Sequence, residues 1–98
     1  MPHLQKNDVI AFLRDSKERF ATRYGVRRIG LFGSVARDRA SQASDLDVVV
    51  EMESPTFDRY MDLKFELEDR FGVQVDLVLS DTVKDRLRPV IERETVYA

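Results

Sequence analysis

Cysteine is absent from this sequence of 98 residues, which excludes disulfides and thiolate chemistry. The chain also has a single histidine, His3, which lies near the first residue. We therefore do not expect a histidine-based zinc site or a Ser-His-Asp triad. The lack of cysteine fits the reducing cytoplasm, and we expect a cytoplasmic protein.

Long apolar runs and a surplus of basic residues are missing as well. No apolar stretch approaches the roughly 20 residues that a membrane helix needs, and the start, MPHLQKNDVI, lacks the apolar run of a signal peptide. The formal net charge is -2, whereas duplex-binding domains are usually basic because they neutralise phosphates. We expect neither membrane insertion nor direct binding of nucleic acid.

The residues that are present suit one small globular domain spanning residues 1–98. An apolar fraction of 43% beside 35% charged residues argues against disorder. Periodicity, caps and glycines predict helices at residues 8–24, 35–39, 55–71 and 89–94, with Ser54 as the cap of the third. Strands are predicted at residues 26–32, 45–51, 73–79 and 95–97. This order predicts an α+β (α/β) fold with helices on at least one face of a sheet, and leaves the strand directions open.

The third predicted helix carries an apolar stripe that we expect to face the core. Its members are Phe57, Tyr60, Leu63, Leu67 and Phe71.

Two carboxylates share one face of the second predicted strand. Asp45 and Asp47 are two residues apart, so both point to the same side, while Leu46 and Val48 point to the other. Neighbouring carboxylates repel each other, and a hard cation such as magnesium or manganese relieves that repulsion. The alternative is a solvated strand edge or a capping feature.

A third carboxylate, Asp76, interrupts the apolar segment VQVDLVLS. Charged side chains are rarely buried without a partner, so its position in a strand is unusual. If its strand lies beside that of Asp47, the acidic side chains converge. The alternatives are an exposed face, or pairing with Arg27 or Arg28.

The Gly33-Ser34 pair lies between a predicted strand and a short helix. Glycine allows a ligand to approach the backbone closely, and a helix N-terminus presents free N–H groups to phosphate. A simple turn capped by serine is the alternative.

Taken together, GLFGSVARDRASQASDLDVVVE and VQVDLVL resemble the nucleotidyltransferase superfamily related to DNA polymerase beta. The matching residues are Gly33, Ser34, Ala36, Arg37, Ser44, Asp45, Asp47 and Asp76. The family often has glycine where this chain has Asp38. The length and the ending PVIERETVYA resemble the minimal nucleotidyltransferase (MNT) branch, the antitoxin half of HEPN/MNT toxin-antitoxin pairs.

This resemblance implies a small mixed β-sheet packed by helices, the polymerase beta-like fold. It implies that Asp45, Asp47 and Asp76 hold magnesium, in two ions, and that Asp76 helps to take a proton from the acceptor. It also implies that Gly33 and Ser34 hold the phosphates of ATP, with Arg37 as a further nucleotide contact. The implied partner is a HEPN-type ribonuclease toxin, whose tyrosine hydroxyl receives AMP.

Three other functions fit the same residues. The protein could neutralise its toxin by binding alone, transfer a nucleotide to a small molecule or an RNA end, or be an α/β domain with merely solvated acids.

Overall fold

The computed structural model describes residues 5–36, 45–80 and 88–98. Its helices within these ranges are α1 (Lys6–Asp15), α2 (Lys17–Tyr24), α3 (Gly33–Ala36), α4 (Phe57–Phe71) and α5 (Arg88–Glu94). Its strands are β1 (Val26–Phe32), β2 (Leu46–Met52), β3 (Val75–Leu79) and β4 (Val96–Tyr97). The predicted alternation of helices and strands is confirmed.

The strands form one mixed sheet in the order β3-β2-β1-β4. β2 and β3 are parallel, as a crossover through α4 permits, and β1 runs antiparallel to both β2 and β4. The core lies between one face of this sheet and helices α1, α2 and α4. Its fully buried side chains are Val9, Leu13, Phe20, Ile29, Leu31, Val35, Leu46, Val48, Val50, Leu63 and Leu67.

The helix predicted over residues 8–24 is divided into α1 and α2 at Ser16. This residue has φ -96° and ψ 0°, and its N–H bonds to the carbonyls of both Phe12 and Leu13. The break leaves Ser16 buried and still allows Phe20 and Leu13 to reach the same core. Gly25 ends α2 in the left-handed conformation, as predicted.

Helix α4 begins later than predicted and leaves Phe57 outside the core. Its cap is Thr56 rather than Ser54, since the Thr56 hydroxyl oxygen accepts a bond from the Arg59 N–H at 3.1 Å. Phe57 is 76% exposed, whereas Leu63 and Leu67 are fully buried. Phe57 precedes Leu63 by six residues, which places the two roughly 120° apart around the helix.

The outer edge of β3 is covered by side chains of α4. The Val75 N–H donates to Glu68 Oε2 at 3.0 Å, and the Tyr60 hydroxyl donates to the carbonyl of Leu77. An uncovered strand edge is a template for pairing with another chain. Tyr60 and Glu68 therefore occupy backbone groups that another strand would need.

The Tyr60 hydroxyl gives a pH-dependent prediction. Burial, and then the charge of Asp76, raise the pKa of Tyr60 above its ordinary value. The folded protein thus holds this proton more tightly than the unfolded chain does. The contribution of Tyr60 to the free energy of unfolding is therefore fully present below about pH 10 and falls as the pH rises further. Tyr60→Phe should lower the free energy of unfolding by about 1 kcal/mol at neutral pH and flatten the alkaline decline.

Urea unfolding of the wild type and Tyr60→Phe at pH 7 to about 11 measures both effects. Tyr24, whose pKa is also raised, chiefly by burial, remains in the variant and leaves a residual alkaline decline. Parallel pH profiles for the two proteins would contradict the prediction.

In the ranges that the structure describes, no helix combines the length and apolar character needed to cross a membrane.

Candidate active site

Two carboxylates meet on the sheet face opposite the helical core. Asp47 of β2 and Asp76 of β3 are direct partners in the parallel register. Side chains at paired positions point to the same face, and strand alternation directs Leu46 and Val48 into the core instead. Asp47 is half-buried and Asp76 is exposed, so both are within reach of a ligand from solvent.

Asp45 stands immediately before β2, at the mouth of an open cleft. The cleft has a volume of about 670 Å³ and is lined by Asp45 and Asp76 together with Lys64 and Glu68 of α4. It opens to solvent and is bounded by residues 72–76, where the chain passes from α4 into β3. The third predicted acidic residue therefore shares a surface with Asp76.

Gly33 is held directly against the carboxylate of Asp47. It has φ +77°, and a Cβ atom built on it would lie 2.1 Å from Asp47 Oδ2, which is far inside van der Waals contact. The register pairs Phe32 with Asp47, so the turn that follows β1 necessarily passes beside this carboxylate. Glycine is required here both for its backbone conformation and for the space it leaves.

Of the remaining residues predicted for the site, only Ser34 lies within the described residues. Ser34 follows Gly33 as the second residue of α3. Arg37, Asp38 and Ser44 lie outside the described residues, as does the second half of the helix predicted at residues 35–39.

The two arginines considered as partners of Asp76 have other contacts. Arg27 lies 3.8 Å from Glu53, and the guanidinium of Arg28 lies 4.0 Å from the centre of the Tyr97 ring. Asp76 is exposed and lies beside Asp47 in the register of β2 and β3, so the condition for these two carboxylates to converge is met.

The fit of this site to a metal ion depends on its oxygen atoms. Among the described residues, no three acidic, histidine or cysteine side chains are gathered closely enough to hold an ion as they stand. Magnesium, however, commonly takes one or two carboxylates and completes its shell with phosphates and water. The register pair of Asp47 and Asp76, with Asp45 nearby, supplies hard oxygen donors of this kind.

Sequence reasoning missed the contribution of α4 to the cleft. Lys64 and Glu68 are four residues apart, so they occupy one side of the helix. The spacing of Phe57, Met61, Lys64 and Glu68 continues that side toward the start of α4. This second stripe was detectable, but nothing local indicates that it lies beside Asp76.

The profile of the nucleotidyltransferase domain family matches residues 13–98. The chain belongs to this family. A curated relative, the protein adenylyltransferase MntA of Thermococcus cleftensis, is 35% identical over 98 residues, which cover 99% of each chain.

Solved structures with a similar fold agree with this family assignment. A structure assigned as a minimal nucleotidyltransferase matches with a TM-score of 0.81 and 35% identity, covering 98% of both chains. A toxin-antitoxin structure with AMP-PNP matches with a TM-score of 0.70 and 23% identity, over 96% of this chain and 72% of that one. The predicted minimal nucleotidyltransferase fold, a small mixed sheet packed by helices, is confirmed.

Proposed function

We propose that this nucleotidyltransferase is an antitoxin that transfers AMP from ATP to a tyrosine hydroxyl of a cognate HEPN-type ribonuclease toxin in the cytoplasm. The observation that carries the proposal is the register pair of Asp47 and Asp76, with Gly33 packed against Asp47. Further support comes from the relative named protein adenylyltransferase and from the toxin-antitoxin structure with the ATP analogue AMP-PNP.

Asp45, Asp47 and Asp76 would hold magnesium, in two ions by the family resemblance, and manganese suits the same oxygen donors. When bound, the metal neutralises phosphate charge and orients the attacking and leaving oxygens. The half-buried carboxylate of Asp47 is fixed against Gly33, whereas the exposed Asp76 faces the cleft from which an acceptor can enter.

The residues of the chain then act on the bound nucleotide and acceptor. Gly33 and Ser34 bind the β- and γ-phosphates, and Arg37 contacts the triphosphate. Asp76 takes the proton from the acceptor hydroxyl while the oxygen of that hydroxyl forms a bond to the α-phosphorus. The bond between the α-phosphorus and the bridging oxygen breaks, and pyrophosphate leaves. Positioning and charge neutralisation supply most of the rate enhancement in such a site.

The test is the intact mass of the partner toxin after incubation with this protein, ATP and magnesium. We expect a gain of one or more AMP units with the wild type. We expect no gain with Asp45→Asn/Asp47→Asn, because this variant loses two of the three carboxylates, and neither position belongs to the core. Melting temperatures of both proteins verify that the variant is folded.

The same double variant separates catalysis from simple masking of the toxin. If the protein acts as an enzyme, the double variant no longer neutralises the toxin, and the toxin continues to cleave RNA in its presence. An unmodified toxin that the double variant still neutralises as well as the wild type would overturn the catalytic proposal in favour of neutralisation by binding.

A further inference from the structure

Helix α4 carries an exposed apolar stripe that ends at the cleft. Phe57 and Phe65 are 76% and 54% exposed, and Met61 lies one turn from each of them. We name Phe57, Met61 and Phe65 the α4 stripe. Lys64 and Glu68, which continue the same side of the helix, line the cleft beside Asp76. A protein bound to the α4 stripe would therefore lie next to Asp76.

One border of the α4 stripe is acidic. Asp58, Asp62 and Asp69 are all exposed and fall on one line along the helix. In an antiparallel two-fold pair of copies, this border of one copy would lie against the same border of the other, and like charges brought together at an interface are unfavourable. The charge pattern disfavours this antiparallel self-pairing and is complementary to a different protein, with basic residues around an apolar centre.

We infer that the α4 stripe is the docking surface for the protein that receives the nucleotide, and that docking directs its acceptor hydroxyl into the cleft beside Asp76. The expected contact surface of that protein has apolar side chains bordered by lysine or arginine. This inference rests on the proposed function and specifies where its partner binds.

The covered edge of β3 determines how the acceptor enters the cleft. The Val75 N–H and the Leu77 carbonyl are already bonded to Glu68 and Tyr60. A segment of the partner therefore cannot add to the sheet there as a further strand without displacing both side chains. The acceptor residue enters by its side chain instead, passing between α4 and Asp76.

The first test measures binding of the partner by calorimetry without ATP. Phe57→Ser/Phe65→Ser should weaken binding by about tenfold or more, because aromatic side chains often contribute a large share of the binding energy at protein interfaces. Serine and phenylalanine have similar helix propensities, so the melting temperature should be unchanged. Val96→Ser, at a side chain that is 37% exposed on β4, is the matched control and should bind normally.

The second test reverses the acidic border. Asp58→Lys/Asp62→Lys should weaken binding and slow AMP transfer, most strongly at low salt. The matched control, Asp15→Lys/Glu18→Lys, makes the same change in charge at exposed positions on α1 and α2 and should bind and transfer like the wild type. The affinity for ATP with magnesium should be equal in the wild type and in all four variants.

The outcomes separate this inference from the proposed function. Unchanged binding and transfer by both α4 variants overturn the docking surface and leave the transferase intact. If the α4 variants lose binding to the partner but the wild type adds no AMP to it, the docking surface is supported and the catalytic proposal is overturned. A loss of ATP affinity would assign the α4 stripe to the nucleotide instead. Light scattering that shows a wild-type dimer, abolished by Phe57→Ser/Phe65→Ser while partner binding persists, would assign it to a second copy.

Discussion

Replacing Gly33 by alanine is expected to reduce AMP transfer to background in a protein that remains folded. The left-handed backbone at φ +77° costs a non-glycine residue about 1–2 kcal/mol. The larger effect is local, because the added methyl group would lie 2.1 Å from Asp47 Oδ2 and must displace that carboxylate. Asp47 would then no longer stand beside Asp76 in the position that the register gives it.

Gly72→Ala provides the matched control for this prediction. Gly72 has φ +69°, so alanine bears a similar backbone cost there, but a Cβ atom would meet nothing within 4 Å. Gly33→Ala should lose at least as much stability as Gly72→Ala in thermal unfolding, and only Gly33→Ala should lose transfer. A Gly33→Ala protein that modifies the partner at the wild-type rate would show that the contact between Gly33 and Asp47 is dispensable.

Asp76→Asn is expected to separate turnover from nucleotide binding. Amide substitution keeps the shape of the side chain but removes the carboxylate that we propose takes the acceptor's proton, an effect of about 10²–10⁴-fold on the rate. ATP affinity should change far less, since the proposed phosphate contacts are at Gly33 and Ser34, and Asp45 and Asp47 remain to hold the metal. Single-turnover transfer and ATP calorimetry measure the two quantities separately.

Asp15→Asn, the same substitution at an exposed position on α1, controls for the lost charge and should behave like the wild type. If Asp76→Asn loses ATP affinity as steeply as it loses turnover, Asp76 acts in nucleotide binding and the proton has another acceptor.

The geometry of the acidic site was partly predictable from sequence. Strand alternation predicts Asp45 and Asp47 on one side and Leu46 and Val48 on the other; in the structure Asp47 follows this prediction, and Asp45 lies immediately before β2. The proximity of Asp76 could only be stated as a condition, because local periodicity does not specify which strands are neighbours. The parallel pairing of β2 with β3 supplies that information and brings Asp76 into register with Asp47.

Other features depend on contacts between segments that are distant in sequence. The sequence at Gly33 predicts access for phosphate, yet the space beside Gly33 is taken by the carboxylate of Asp47. Serine before proline predicts Ser54 as the cap of α4, but Thr56 provides the cap. The interruption at Ser16 similarly has no marker in the apolar pattern on either side of it.

The bonds from side chains of α4 to the outer edge of β3 bear on how readily this domain aggregates at high concentration. An open sheet edge is a template on which another chain can pair, and this is a route to aggregation. Here Tyr60 and Glu68 occupy two backbone groups of one edge, and β4 at the other edge is only two residues long. We therefore expect strand pairing between copies to be a minor route of aggregation when this domain is concentrated or fused to another protein.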